Sequence, residues 1–360
     1  MSSLKKKVAA LTDTSRQVLS DCALPNGAIV AANSDATYYP REAANYRFVW
    51  PRDAAFVAAA AGLIGLPVSR PFFSWLEKYP EDFKKEGLLY SNYATNGRIG
   101  SLGKLFEPDQ MGSLLWAIDD YLTRAPREAA ALEPLVKRIA NGLTSAWGGR
   151  FFVPNTADLW EDGYRQTSTR IENNFTYSLA ACCQGLRLAH ARYKTRAWKK
   201  TANEMQTQID AAWGEEISAF SRNHGRITDR NIDASLLGLV WPFEICAADD
   251  KRIISTVDRI EEALVEHGGV HRYQFDYFDS EGTAWEGGGA WPVLNFWMAI
   301  YWMRRGNRRR ALAYFQWVLE RVDTYIPEQI FNDFRIGIYP LAWSHAMFVL
   351  AANELNLLPV

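Results

Sequence analysis

Apolar residues recur three and four positions apart along almost the whole chain, the spacing that lines one face of an α-helix. Residues 4–21 form the first such pattern, with Val8, Leu11, Val18 and Leu19 on or near one face. From Asp53 to Leu63 the pattern changes to a run of alanines (Ala54, Ala55, Ala58, Ala59, Ala60, Ala61), small enough to let helices approach closely. Further helical patterns fall at about 70–86, 108–124, 127–147, 173–194, 196–214, 231–239, 251–266, 289–304, 307–321 and 339–354. Strand-like alternation is scarce, and Gly149 to Pro154 is the best candidate for a short ribbon.

The helices come in pairs at intervals of roughly 50–60 residues, which predicts stacked helical hairpins. About six hairpins in 360 residues close into an all-α (α/α)6 barrel, an inner ring of helices inside an outer one. No Ser-, Gly- or Pro-rich linker and no block of charge divides the chain, so residues 1–360 read as a single domain. In such a toroid alternate connections project from one end. Four aromatic, polar connections then share a mouth: Tyr46 to Asp53, Asp158 to Gly163, His271 to Trp291 and Tyr325 to Pro340.

Composition changes this picture little, except in its aromatics. The chain is 48% hydrophobic and 22% charged with a formal charge of −1, which gives no electrostatic reason to expect nucleic acid or an anionic membrane as partner. The 14 Trp, 16 Tyr and 18 Phe fit either a Trp-rich core or a cleft whose rings stack on sugar faces. Cys22, Cys182, Cys183 and Cys246 show no metal-binding spacing and read as buried free thiols, as suits a reducing compartment. Lys5-Lys6-Lys7 precedes an apolar stretch too short for a secretory leader, and no apolar run approaches the roughly 18 residues of a membrane span. These features predict a soluble, cytoplasmic protein.

Candidate chemistry gathers in the four connections. Arg52-Asp53, at the start of the alanine helix, offers a fork of donors beside a pair of acceptors, suited to reading sugar hydroxyls; a plain helix cap competes with that reading. In Asp158-Leu159-Trp160-Glu161-Asp162 a carboxyl beside an indole and a second carboxylate has reason to hold its proton near neutrality, as a general acid must; a solvated acidic loop is the alternative. Arg272 is a further candidate hydroxyl ligand. Glu328 follows Pro327, which stiffens the backbone behind a possible base, although a surface loop glutamate fits equally well. Two carboxyls among aromatic rings are what cleavage of a glycosidic bond requires.

In order and spacing these segments resemble the glucoamylase family of glycoside hydrolases, family 15. The likeness is carried by Tyr46 to Asp53, by Asp158-Leu159-Trp160-Glu161, by Asp233-Ala234-Ser235-Leu236-Leu237, by Arg272-Tyr273, and by Pro327-Glu328-Gln329 with Leu341-Ala342-Trp343-Ser344-His345-Ala346. The resemblance implies Glu161 as general acid and Glu328 as general base. It implies Tyr46, Trp50, Arg52, Asp53, Leu159, Trp160, Asp162, Arg272 and Trp343 around the terminal glucose. It also implies an exo-acting, inverting α-glucosidase with no metal or organic cofactor and a small oligosaccharide as partner. The chain departs from the family at Asp162, where many members have Glu, and at Leu105-Phe106, where starch-degrading members have Trp-Gly. Read this way, the sequence is expected to lack the N-terminal β-sandwich of many members and a starch-binding module. Short α-1,6 glucosides of the isomaltose type are therefore the leading expectation and malto-oligosaccharides the second. Trehalose or dextran, and a non-catalytic sugar-binding toroid, are the alternatives.

Overall fold

The computed structural model describes residues 3–161, 169–170, 172–278, 288–332 and 337–359. Its helices are α1 (Ser3–Cys22), α2 (Pro51–Leu63), α3 (Ser69–Lys78), α4 (Phe83–Glu86), α5 (Pro108–Arg124), α6 (Ala129–Ala146), α7 (Thr176–Tyr193), α8 (Arg196–Ala211), α9 (Lys251–Leu264), α10 (Pro292–Arg304), α11 (Arg308–Arg321) and α12 (Ala342–Glu354), with a 3-10 helix at Ala234–Leu239. Helices α2, α5, α7, the 3-10 helix, α10 and α12 each pack on the next, and α12 returns to α2. That closed ring is wrapped from outside: α1 lies on α12 and α2, α3 on α2, α6 on α5 and α7, α8 on α7, α9 on the 3-10 helix, and α11 on α10. This is the (α/α)6 barrel.

The hydrophobic pattern decides which helix goes where. Outer helix α9 buries only Ile253, Thr256, Val257, Ile260 and Leu264, one stripe at helical spacing. Inner helices α10 and α12 are apolar nearly all round, and each buries eleven of its thirteen residues. The barrel axis is filled by rings, with Phe56 meeting Trp116, Trp241, Trp297 and Trp343 at centroid distances of 5.1, 6.2, 6.2 and 5.6 Å. Much of the tryptophan is thus core. Where α5 crosses α7, Gly112 faces the Ala181–Cys182 backbone without room for a side chain. Cys182 points its thiol to the Pro108 carbonyl of α5 at 3.2 Å and Cys183 to the Ala202 carbonyl of α8 at 3.2 Å.

Local chemistry trims several of the predicted elements. The helix expected over 70–86 ends at Lys78, because Pro80 cannot continue it and Asp82 turns left-handed at φ 63°. The helix expected from 173 begins at Thr176, since Asn173–Phe175 pairs with Asn223–Gly225 as a ribbon. The segment 231–239 forms only the 3-10 helix, started by the Asp233 side chain accepting from the Ser235 amide at 2.8 Å. The ribbon expected at Gly149 to Pro154 reduces to a single bridge between Trp147 and Phe152. Among the described residues the strands form four two-stranded ribbons, all in connections, and no helix is long and apolar enough to cross a membrane.

Candidate active site

The inner helices begin where the cavity lies. Proline stands at the first position of α2, α5 and α10, where its missing N–H costs no helical bond. Around the starts of α2 and α10, Trp50, Arg52, Asp53 and Trp291 face the barrel mouth, with the positive ends of the helix dipoles behind them. There a cavity of about 750 Å3 opens, and all four predicted connections reach it. They contribute Tyr46, Trp50, Arg52 and Asp53; Leu159, Trp160 and Glu161; Arg272 and Trp291; and Glu328, with Trp343 from α12. Asp162 lies outside the described residues.

Glu161 sits at a turn in the left-handed backbone region, φ 55°, which a non-glycine residue adopts at a cost and which recurs at functional positions. Its Oε1 accepts from Trp50 Nε1 at 2.7 Å, Ser91 Oγ at 2.9 Å and Arg52 at 3.4 Å. Burial pushes this carboxyl above its usual range, against the lowering pull of the Arg52 charge and of hydrogen bonds from Ser91, Trp50 and Glu107. The indole bound to Glu161 is thus Trp50, whereas adjacent Trp160 turns away and donates to both Asp233 oxygens at 3.1 Å. Asp233 in turn meets buried Arg222, which also holds Asp158 and Asp229. The acidic stretch from Asp158 to Glu161 thus splits between a carboxyl in the cavity and an anchoring network beneath it.

Glu328 is 5% exposed, and its segment is clamped by the first turn of α12. Its amide donates to the Ile338 carbonyl at 2.7 Å, the Ser344 hydroxyl to the Pro327 carbonyl at 2.7 Å, and the Ile326 amide to His345 Nε2 at 3.0 Å. His345 Nδ1 meets Ser15 Oγ of α1 at 2.9 Å, and burial pushes the ring's pKa down to about 3. A neutral ring that accepts at Nε2 carries its hydrogen on Nδ1 and gives it to Ser15. Ser344 and His345 therefore hold the segment of Glu328, a role that the motif alone did not reveal. The Tyr46 hydroxyl hydrogen-bonds Glu328, and burial beside that carboxylate holds the phenol protonated, well above its ordinary range.

Arg52 and Arg272 are both more enclosed than hydroxyl readers on a loop. Arg52 is 3% exposed and meets Glu107 at 3.0 Å, Asp109 at 2.9 Å, Glu161 at 3.4 Å and Asp53 at 3.6 Å. Its amide donates to Gln110 at 2.6 Å. The helix cap considered for Asp53 is not formed: Trp50 is the N-cap residue of α2, and Asp53 lies in the first turn, its carboxyl pushed up to about 7 by burial. Arg272 grips Asp276 through two bonds of 2.7 and 2.8 Å and lies over Trp160, Phe278 and Trp291 at 5.4, 5.0 and 4.9 Å.

Sequence reasoning missed Glu107, Ser91 and Gln110, because the weight at 105–108 fell on Phe106. Phe106 points into the core against Phe152, 5.7 Å away, and does not line the cavity. The signal that could have found Glu107 is a carboxyl directly before a helix-starting proline, repeating Trp50-Pro51 and Trp291-Pro292.

The family profile described as "Glycosyl hydrolases family 15" matches residues 81–330. An uncharacterized glycosyl hydrolase from Methanocaldococcus jannaschii is 28% identical over 377 residues, covering 97% of this chain and 56% of its own. An isomaltose glucohydrolase from Kribbella flavida is 25% identical over 76% of this chain and 71% of its own. A trehalase from Thermoplasma acidophilum is 23% identical over 87% of this chain and 56% of its own. The chain spans little more than half the length of the first and third of these relatives. A wild-type glycosidase structure superposes over the whole of both chains with TM-score 0.81 at 20% identity. A bacterial glucoamylase solved with acarbose does so over 98% of this chain and 56% of its own, with TM-score 0.74 at 20% identity. The two structures share this barrel, and the profile covers more than half of the sequence: the chain belongs to glycosyl hydrolases family 15.

Proposed function

We propose that the chain hydrolyses the terminal α-glucosidic bond of short oligosaccharides with inversion, Glu161 acting as acid and Glu328 as base. The observation that carries this reading is that both carboxyls line one cavity together with Tyr46, Trp50, Trp160, Phe278, Trp291 and Trp343. Glu161, whose hold on its proton burial strengthens, gives its proton to the glycosidic oxygen as the bond to the anomeric carbon breaks. Glu328 takes a proton from water while the water oxygen bonds that carbon from the opposite face. Tyr46, hydrogen-bonded to Glu328, helps to place the water. An α-linked glucose leaves as the β-anomer, and solvent returns the proton from Glu328 to Glu161.

Trp50, Asp53, Leu159, Trp160, Arg272 and Trp343 line the space where the terminal sugar sits in this reading. Arg52 reaches the same wall but is engaged with four carboxyls, so its first role is to hold them. Isomaltose-type α-1,6 glucosides are the leading substrate, supported by the isomaltose glucohydrolase among the relatives; malto-oligosaccharides come second. Trehalose is a further reading that the trehalase relative favours. A hydrolysis panel of isomaltose, maltose, trehalose and their homologues separates these readings. Proton NMR of the first-released sugar tests the mechanism: initial β-glucose supports inversion, and initial α-glucose overturns it.

A further inference from the structure

Around Arg52 the barrel places four carboxyls against one guanidinium: Asp53, Glu107, Asp109 and Glu161. Fully ionised, the group would carry a net charge of 1 − 4 = −3 in a site shielded from water, which is costly. The hydrogen bonds show which oxygens have donors. Asp109 accepts from Arg52 at 2.9 Å and from Ser178 of α7 at 3.0 Å. Glu107 Oε2 accepts from Arg52 at 3.0 Å and from Gln110 at 2.9 Å. Glu107 Oε1, by contrast, is fully buried and receives no donor.

What faces Glu107 is Glu161, and Ser91 stands against both carboxyls. Ser91 has a single hydroxyl hydrogen, and it is directed to Glu161 Oε1 at 2.9 Å. Two acceptor-only carboxylates cannot satisfy each other; with one proton between them they can. Among the described residues, the other groups that face the pair are Tyr46 across from Glu161, Trp50, Arg52 and Asp53 from the start of α2, and Asp109 and Gln110 from α5. Arg52 is the cation that contacts all four carboxyls, and it serves each of the two glutamates through one nitrogen.

We propose that Glu107 is a positioning residue that shares one proton with Glu161 and so holds a proton ready for the carboxyl facing the cavity. The proposal rests on the reading of Glu161 as the acid. Burial together with the neighbouring Glu161 charge pushes Glu107 well above its ordinary range, while the hydrogen bond from Glu107 lowers Glu161, in agreement with one proton held in the pair and resting on Glu107. Once Glu161 has protonated a leaving oxygen, the pair is doubly ionised beside Arg52, and the next proton from water restores it.

The test is the pH profile of kcat/KM for Glu107→Gln, which keeps shape and hydrogen-bonding capacity but removes the titrating partner. The limb on which activity falls as pH rises should move toward acid by about 1–3 pH units, the range of a close like-charge effect. Glu107→Asp should restore part of the shift. With α-glucosyl fluoride, whose fluoride departs without a proton donor, Glu107→Gln should lose little at alkaline pH. An unmoved limb in a folded variant overturns the proposal. Oligosaccharide turnover by Glu161→Gln at the wild-type rate would instead overturn the acid assignment itself, a separate failure. Should Glu107→Gln not fold, carbon-13 NMR of labelled glutamate carboxyls in the wild-type protein decides. Two carboxyls titrating together in two separated steps support the pair, and two independent steps in the usual range overturn it.

Discussion

Replacing Trp50 by Phe removes one hydrogen bond from the proposed acid and keeps most of the ring. Trp50 Nε1 lies 2.7 Å from Glu161 Oε1, the shortest of that oxygen's three contacts. Its N–H serves the ionised carboxyl better than the neutral one, so it lowers the pKa of Glu161. A hydrogen bond to a charged group contributes about 1.5–3 kcal/mol, and one pKa unit is about 1.4 kcal/mol, which bounds the change at about one to two units. Ser91 and Arg52 remain on the same oxygen, so the lower bound of about one unit is the expected value. The sign follows from the role. A general acid works while protonated, so activity is present below its pKa and lost above it. Raising the pKa therefore moves the alkaline limb of kcat/KM upward by about one pH unit. The assay is kcat/KM on isomaltose or maltose across that limb. A limb that stays in place, or moves toward acid, would refute Trp50 as a donor to the working acid.

Three further outcomes follow from the same geometry. Glu161→Gln and Glu328→Gln should each lower turnover by about 10²–10⁴-fold with little change in the melting curve, measured by initial rates and thermal unfolding. Ser344→Ala removes the bond to the Pro327 carbonyl and should cost about 1 kcal/mol of stability, read by urea unfolding; kcat should fall more than KM rises, because the base segment loosens. Asp53, pushed up to about 7 by burial, binds its proton more tightly folded than unfolded, where about 3.9 is usual. Its contribution to stability is fully present below about pH 4 and is lost as pH rises through 7, so between pH 5 and pH 8 the wild-type Tm should fall more than that of Asp53→Asn.

The ring of helices was legible because burial writes a simple pattern. Inner helices are apolar all round, as in Pro292–Arg304, and outer ones carry a single stripe, as in Lys251–Leu264. The convergence of Tyr46, Glu161, Arg272 and Glu328 was also legible, since connections at one end of a barrel share a mouth. What stayed hidden depends on contacts between distant segments. Trp160 looked like the partner of Glu161 because it is adjacent, yet a side chain's direction is set by the backbone turn, and Trp50 from 111 positions away takes that place. Glu107 was missed for a similar reason: its place before Pro108 marks a helix start, but its burial shows only once Arg52 is known to lie against it. His345 read as part of a motif, and only its bonds to Ser15 and Ile326 give it work.

That bond between Ser15 and His345 joins groups 330 positions apart in the chain. Helix α12 is the last member of the ring in chain order, and it is also the element that holds Glu328 in place. During synthesis the proposed acid and its surroundings, from Trp50 to Glu161, emerge long before the helix that fixes the base. A nascent chain therefore carries half a site with no means of completing it. Closure of the ring and arming of the site become one event, at the end, and it waits on contacts of very long sequence separation, the kind that form slowly. The barrel thus acts as its own timer: until α12 docks, the proposed base has nothing to hold it.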